Sequence, residues 1–144
     1  MPPASVHVLL VEDNPGDARL VREALRDADQ VDSARGQHRV TVVERLSDAF
    51  VAIDVGDVDV VLLDLALPDS FGLETFTRCY ERAGGCPIVV LTRQADDGIG
   101  AQALRAGAQD YLSKSQLEGA LLSRTIHYAR ERKQLELDRL MLAR

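Results

Sequence analysis

Short β-branched apolar runs alternate with longer amphipathic ones along this chain. The short runs are Val6 to Val11, Val40 to Val43, Val58 to Leu65, Ile88 to Thr92 and a brief Tyr111 to Leu112, and their length and composition predict five strands. Between them, helical periodicity predicts helices over Pro15 to Ala28, Ser47 to Asp54, Leu73 to Ala83 and Asp96 to Ala106, and a long one from Gln116 onward. Strand-helix alternation of this kind implies an α/β fold with a parallel sheet covered by helices on both faces. The second strand mixes Arg39 and Thr41 with Val40 and Val42, as an edge strand does, whereas Val60-Val61-Leu62-Leu63 is wholly apolar and belongs in the middle.

Local signals mark several boundaries. Asn14 is placed as an N-cap with Pro15 at the first helical position, where the missing N–H is not needed. Ser115 and Glu118 read as a capping box ahead of the last helix, and Gly84-Gly85 and Gly107 end the third and fourth helices. The polar stretch from Asp29 to Gln37 is expected to be the longest loop. Leu121, Tyr128, Leu135 and Leu142 recur at seven-residue intervals, so the last helix is longer than the domain needs. The chain thus divides into a domain over 1–129 and a helical extension over 130–144, either a linker or a dimerising segment.

At 144 residues with 46% hydrophobic positions, the chain can build one core. A net charge of -6 gives no reason to expect nucleic acid or anionic membrane as a partner, and the basic residues of the last helix are interleaved with Glu131, Glu136 and Asp138. The absence of a signal-like N-terminus or a membrane-length apolar run suggests a cytoplasmic protein. Cys79 and Cys86 have neither CxxC nor zinc spacing and read as reduced thiols. His7, His38 and His127 are scattered and read as structural or surface residues rather than metal ligands.

In open parallel sheets, ligands bind beyond the carboxyl ends of the strands, where the strand order reverses. The predicted strand ends here carry Glu12-Asp13, Asp64 and Thr92, and Lys114 follows the fifth strand at once. Three crowded carboxylates repel one another unless a cation joins them, and Mg2+ is a hard cation commonly held by carboxylates and a phosphate oxygen. One acid is then available as a nucleophile toward phosphorus, with Lys114 and the Thr92 hydroxyl to receive charge on the transferring group. Asp64, at the end of the most buried strand, is the expected acceptor. Each of these residues taken alone has an ordinary explanation, as a helix-dipole acid, a strand-terminal polar residue or a solvated lysine; their joint placement at four strand ends argues for a site.

At these residues the chain resembles the receiver domain of two-component response regulators, through Leu9-Leu10-Val11-Glu12-Asp13-Asn14, Leu62-Leu63-Asp64-Leu65-Ala66-Leu67-Pro68-Asp69, Val90-Leu91-Thr92 and Gly107-Ala108-Gln109-Asp110-Tyr111-Leu112-Ser113-Lys114. The resemblance covers about residues 5 to 130. It implies a flavodoxin-like (βα)5 doubly wound sheet with strand order 2-1-3-4-5 and phosphotransfer from a sensor histidine kinase or phosphotransfer protein to Asp64. It further implies that Asp13 and Asp64 ligate Mg2+, that Glu12 helps through water, and that the Ala66 backbone carbonyl adds a ligand. Thr92 would bond the phosphoryl group and draw Tyr111 inward, Lys114 would pair with a phosphoryl oxygen, and the switch would alter binding of a downstream output domain or protein.

Such a domain is a phosphoacceptor rather than an enzyme, with at most self-phosphorylation and self-dephosphorylation. Two departures from the family pattern stand out, Ser115 where a proline usually follows the lysine and Arg93 where a small residue usually follows the threonine. The alternatives are a receiver-like interaction module that works without phosphorylation and a Mg2+-dependent phosphohydrolase. The latter is weakened because Asp64-Leu65-Ala66 lacks a second acid two residues on to protonate a leaving group.

Overall fold

A computed structural model describes residues 5–31, 37–93 and 97–143. In chain order the elements are β1 (Ser5–Val11), α1 (Pro15–Val31), β2 (Gln37–Val43), α2 (Leu46–Val55), β3 (Val60–Asp64), β4 (Ala66–Leu67), β5 (Ser70–Phe71), α3 (Leu73–Ala83), β6 (Ile88–Thr92), α4 (Asp97–Ala106), β7 (Asp110–Ser113), a short 3-10 turn (Lys114–Gln116) and α5 (Gly119–Leu142). Five strands form one parallel sheet in the order β2-β1-β3-β6-β7. This is the expected 2-1-3-4-5 order once the β4–β5 hairpin, which the apolar pattern does not show, is set aside.

The two-residue period of the strands sorts the core into two layers. Val8, Leu10, Val60, Leu62, Val89 and Leu91 face α1 and α5, where Val21, Leu25, Leu122 and Ile126 meet them. Leu9, Val11, Val61, Leu63, Ile88 and Val90 face the other way, onto Leu46, Ala49, Phe76, Cys79 and Ala103 of α2, α3 and α4. Every residue of β3 and β6 is buried, while the edge strand β2 is partly exposed, as its alternating sequence implies. Truncating a core side chain of this kind costs about 2–5 kcal/mol, so this sandwich fixes the strand ends from which the site is built.

Several local expectations hold and some are revised. The Asn14 side chain caps α1 by accepting the Asp17 N–H at 3.0 Å, and Gly84 and Gly107 take positive φ at the ends of α3 and α4. The expected capping box of Ser115 and Glu118 does not form. Ser115 lies in the 3-10 turn, where its N–H bonds the Ser113 hydroxyl at 3.3 Å, and Glu118 precedes α5 without a side-chain cap. The helix begins instead at Gly119, where a Cβ would lie 2.5 Å from the Ala24 carbonyl oxygen, so a glycine lets α5 close onto α1.

Asp29 to Val31, expected in a loop, are helical, and Gln37 begins β2. The Asp29 carboxylate clamps that strand's start by accepting the His38 N–H at 2.9 Å and contacting the His38 ring at 2.6 Å. Asp96 lies outside the described residues. Cys79 and Cys86 are free thiols, and burial pushes both up to about 12. Among the described residues, no helix is long and apolar enough to cross a membrane.

Candidate functional site

Glu12 and Asp13 follow β1, Asp64 ends β3, Thr92 ends β6 and Lys114 follows β7. Because β1, β3, β6 and β7 are parallel and in register, these residues meet at one edge of the sheet. Glu12, Asp13 and Asp64 each bring a carboxylate oxygen within 4.8 Å of the others. Glu12 and Asp64 are buried, while Asp13 is exposed. The Lys114 Nζ stands among them, 2.7 Å from Glu12 Oε2 and 3.0 Å from Asp64 Oδ2. Asp64 Oδ1 accepts the Ala66 N–H at 3.1 Å, which fixes the carboxylate's rotation. The structure therefore brings together every acid and the lysine that the sequence singled out.

Glu12 carries the clearest electrostatic signature. Burial raises its carboxyl from 4.5 to about 7, the neighbouring Asp64 adds to the rise, and Lys114 and the Asn14 N–H oppose it. Burial also disfavours the Lys114 charge, but the carboxylates of Glu12, Asp17 and Asp64 outweigh it and raise the ammonium's pKa. Glu12 Oε2 is fully buried and faces the Lys114 ammonium at 2.7 Å. Three carboxylate oxygens within 4.8 Å of one another, two of them from buried residues, are what a hard divalent cation joins, so the donor set fits Mg2+.

Thr92 is buried and its hydroxyl donates to the Leu112 carbonyl oxygen at 3.4 Å, away from the acids. Beside it a cavity of 210 Å³ is lined by Asp64, Ala66, Phe71, Thr92, Arg93 and Ile99, among others. Phe71 and Arg93 are both exposed on its rim. Tyr111 already lies inward: a Cβ on Gly100 of α4 would stand 2.4 Å from its ring, so the glycine makes room for the aromatic.

A sequence model of the response regulator receiver domain matches residues 8–126. The chain belongs to this family. As a receiver domain it is a part of two-component signalling, in a family whose members are generally phosphorylated on an aspartate, bind Mg2+ at an acidic pocket and interact with histidine kinases and output domains.

Among curated relatives it is 35% identical over 108 residues to the KDP operon transcriptional regulatory protein KdpE of Escherichia coli, covering 75% of this chain and 44% of that protein. It is 32% identical over 111 residues to the transcriptional regulatory protein TcrA of Mycobacterium tuberculosis, covering 77% of this chain and 41% of that one. The chain thus spans less than half the length of either. Among solved structures, the receiver domain of NtrX from Brucella abortus superposes with a TM-score of 0.72 at 24% identity, over 86% of this chain and 98% of that one. A response regulator receiver domain protein from Clostridium thermocellum gives 0.67 at 20% identity, over 90% and 98%. At these identities the structural likeness shows the receiver fold.

Two contacts of this receiver, one in the site and one capping a helix outside it, escape sequence reasoning. Asp17, in the first turn of α1, accepts a hydrogen bond from Lys114 Nζ at 3.0 Å across 97 positions of sequence. Its place one turn after Asn14 reads as ordinary helix-dipole chemistry, and nothing in the pattern points it at a lysine. Asp69, in the β4–β5 turn, accepts the Leu46 and Ser47 N–H groups at 2.9 and 3.0 Å and so caps α2 from outside that helix. The hydrogen bonds hold its carboxyl below the usual range although partial burial works the other way.

Proposed function

We propose that this receiver accepts a phosphoryl group on Asp64 from a phosphohistidine of a sensor kinase or phosphotransfer protein, in the cytoplasm. An Asp64 oxygen bonds to phosphorus as the phosphorus–nitrogen bond breaks, and the leaving imidazole keeps the electron pair and takes up a proton. The observation that carries this reading is the buried Asp64 carboxylate, held by the Ala66 N–H and facing the Lys114 ammonium at 3.0 Å. Glu12, Asp13, Asp64 and the Ala66 carbonyl would hold Mg2+, which supplies positive charge to the transferring phosphoryl oxygens. Lys114 pairs with one of those oxygens and Thr92 turns its hydroxyl from Leu112 to another, while Tyr111 reports the change to α4. Residues 1–129 form the switching unit, and 130–144 serve as a linker or dimerising helix toward an output domain or partner.

Intact-mass analysis after incubation with Mg2+ and acetyl phosphate tests this. The parent chain is expected to gain one hydroxylamine-labile phosphoryl group and Asp64→Asn none; a folded parent that gains none refutes it. Arg93, on the cavity rim, pairs with or covers the phosphoryl group, so Arg93→Ala should shorten its lifetime. A second reading, a module that binds partners without phosphorylation, is favoured by Tyr111 already packed against Gly100. It requires partner binding to survive Asp64→Asn unchanged.

A further inference from the structure

Lys114 has three N–H groups and three carboxylates around it: Glu12 Oε2 at 2.7 Å, Asp17 Oδ2 at 3.0 Å and Asp64 Oδ2 at 3.0 Å. The two aligned hydrogen bonds go to Asp17 and Asp64. A phosphoryl group on Asp64 replaces one negative charge with about two and presents new acceptor oxygens beyond the present carboxylate, so the Asp64 contact passes to the phosphoryl group and draws the ammonium away from its other partners.

Of the two remaining partners, Asp17 is the easier to give up. The side chains of Glu12 and Asp64 are only 1% and 6% exposed, whereas that of Asp17 is 33% exposed and can be rehydrated. Asp17 also sits in the first turn of α1, where the helix dipole stabilises its charge without a counter-ion. We infer that Asp17 is a positioning residue that holds Lys114 back toward α1 in the resting protein and releases it when Asp64 is phosphorylated.

The contact therefore opposes phosphoryl binding and links the active-site lysine to the N-terminus of α1. This rests on Asp64 being the acceptor.

Lys114 and Lys133 are the chain's two lysines, which gives a direct readout. In the lysine ammonium NMR spectrum of the metal-free protein, with Lys133→Arg used for assignment, Asp17→Asn should shift the Lys114 signal and quicken its exchange with water. In the presence of Mg2+ and beryllium fluoride, a phosphoryl mimic, the parent and Asp17→Asn signals should converge. Asp17→Asn should also bind the mimic about two- to fivefold tighter than the parent, the range of a partly exposed ion pair.

Glu44→Gln serves as the control, since Glu44 is exposed near Glu12 on the side of Pro15 and Val42 and lies outside the carboxylates that hold Lys114. An equal gain in Glu44→Gln, an unchanged or weaker affinity in Asp17→Asn, or an unmoved Lys114 signal would overturn the inference. A parent that binds no mimic at all would instead refute the phosphoacceptor reading.

Discussion

Glu12 is the acid of the site whose chemistry departs clearly from its amino-acid type. Its folded-state pKa of about 7 lies above its ordinary 4.5, which fixes the sign of its effect on stability. Below pH 4.5 the carboxyl is protonated in both the folded and the unfolded chain and contributes nothing. Between 4.5 and 7 the folded protein keeps a proton that the unfolded chain has lost, so this group's contribution to stability falls as pH rises, and it levels off above 7. In the metal-free protein, the unfolding midpoint of the parent relative to Glu12→Gln should decline from about pH 5 to about pH 7.5; parallel profiles for the two proteins would contradict it. Mg2+ needs the ionised carboxylates, so its stabilising effect should grow across the same interval. The sequence placed Glu12 among three crowded carboxylates that a cation would join, but it did not show the burial that is the largest cause of the rise. Position along the chain showed which residues meet, whereas the rise at Glu12 comes chiefly from burial, which is a property of the folded sheet.

At the scale of elements, the strands and helices were largely readable because period-two and period-3.6 patterns follow directly from which faces are buried. The Leu73–Ala83 helix matches its predicted span, and Gly84 ends it with φ of 61°. What escaped was either too short to show a period or stabilised by a contact distant in sequence. The two-residue strands β4 and β5 are too short to carry a pattern, and α2 is capped by Asp69, 23 residues away from Leu46. That cap supports a specific expectation. Asp69→Ala leaves the Leu46 and Ser47 N–H groups without their carboxylate and should lower stability by about 1 kcal/mol, read as a shift in the urea midpoint with an unchanged slope. The folded-state pKa of Asp69 is depressed below 3.8, so its contribution is present above that pH and lost as pH falls through the folded value. The difference between parent and Asp69→Ala should therefore shrink in acid; a difference that persists undiminished there would mean that the carboxylate's charge is not what caps α2.

For the molecule as a whole, the open question is where the receiver ends. The family match stops at residue 126, and charge patterning suggested a break after Ala129, yet α5 runs without interruption to Leu142 and its later turns touch the domain. Leu137 lies against Gly85, Lys133 is buried with its ammonium over the Tyr80 ring, and Arg132 donates to the Gln109 carbonyl oxygen at 3.1 Å. Leu135, Leu140, Met141 and Leu142 point away and are exposed. The helix beyond Ala129 thus has two faces, one packed on α3 and on the α3–β6 and α4–β7 connections and one exposed. Ending the chain at Ala129 removes the docked face, and a loss of 1–2 kcal/mol there would lower the unfolding midpoint by about 3–8 °C for a domain of this size. Replacing Leu135 and Leu142 by Glu leaves the docked contacts in place, so the midpoint of the monomer should hold while any concentration-dependent mass in analytical ultracentrifugation disappears. A truncated chain as stable as the parent would place the boundary at Ala129 after all, and parent mass that stays monomeric at high concentration would leave the free face to a partner other than a second copy.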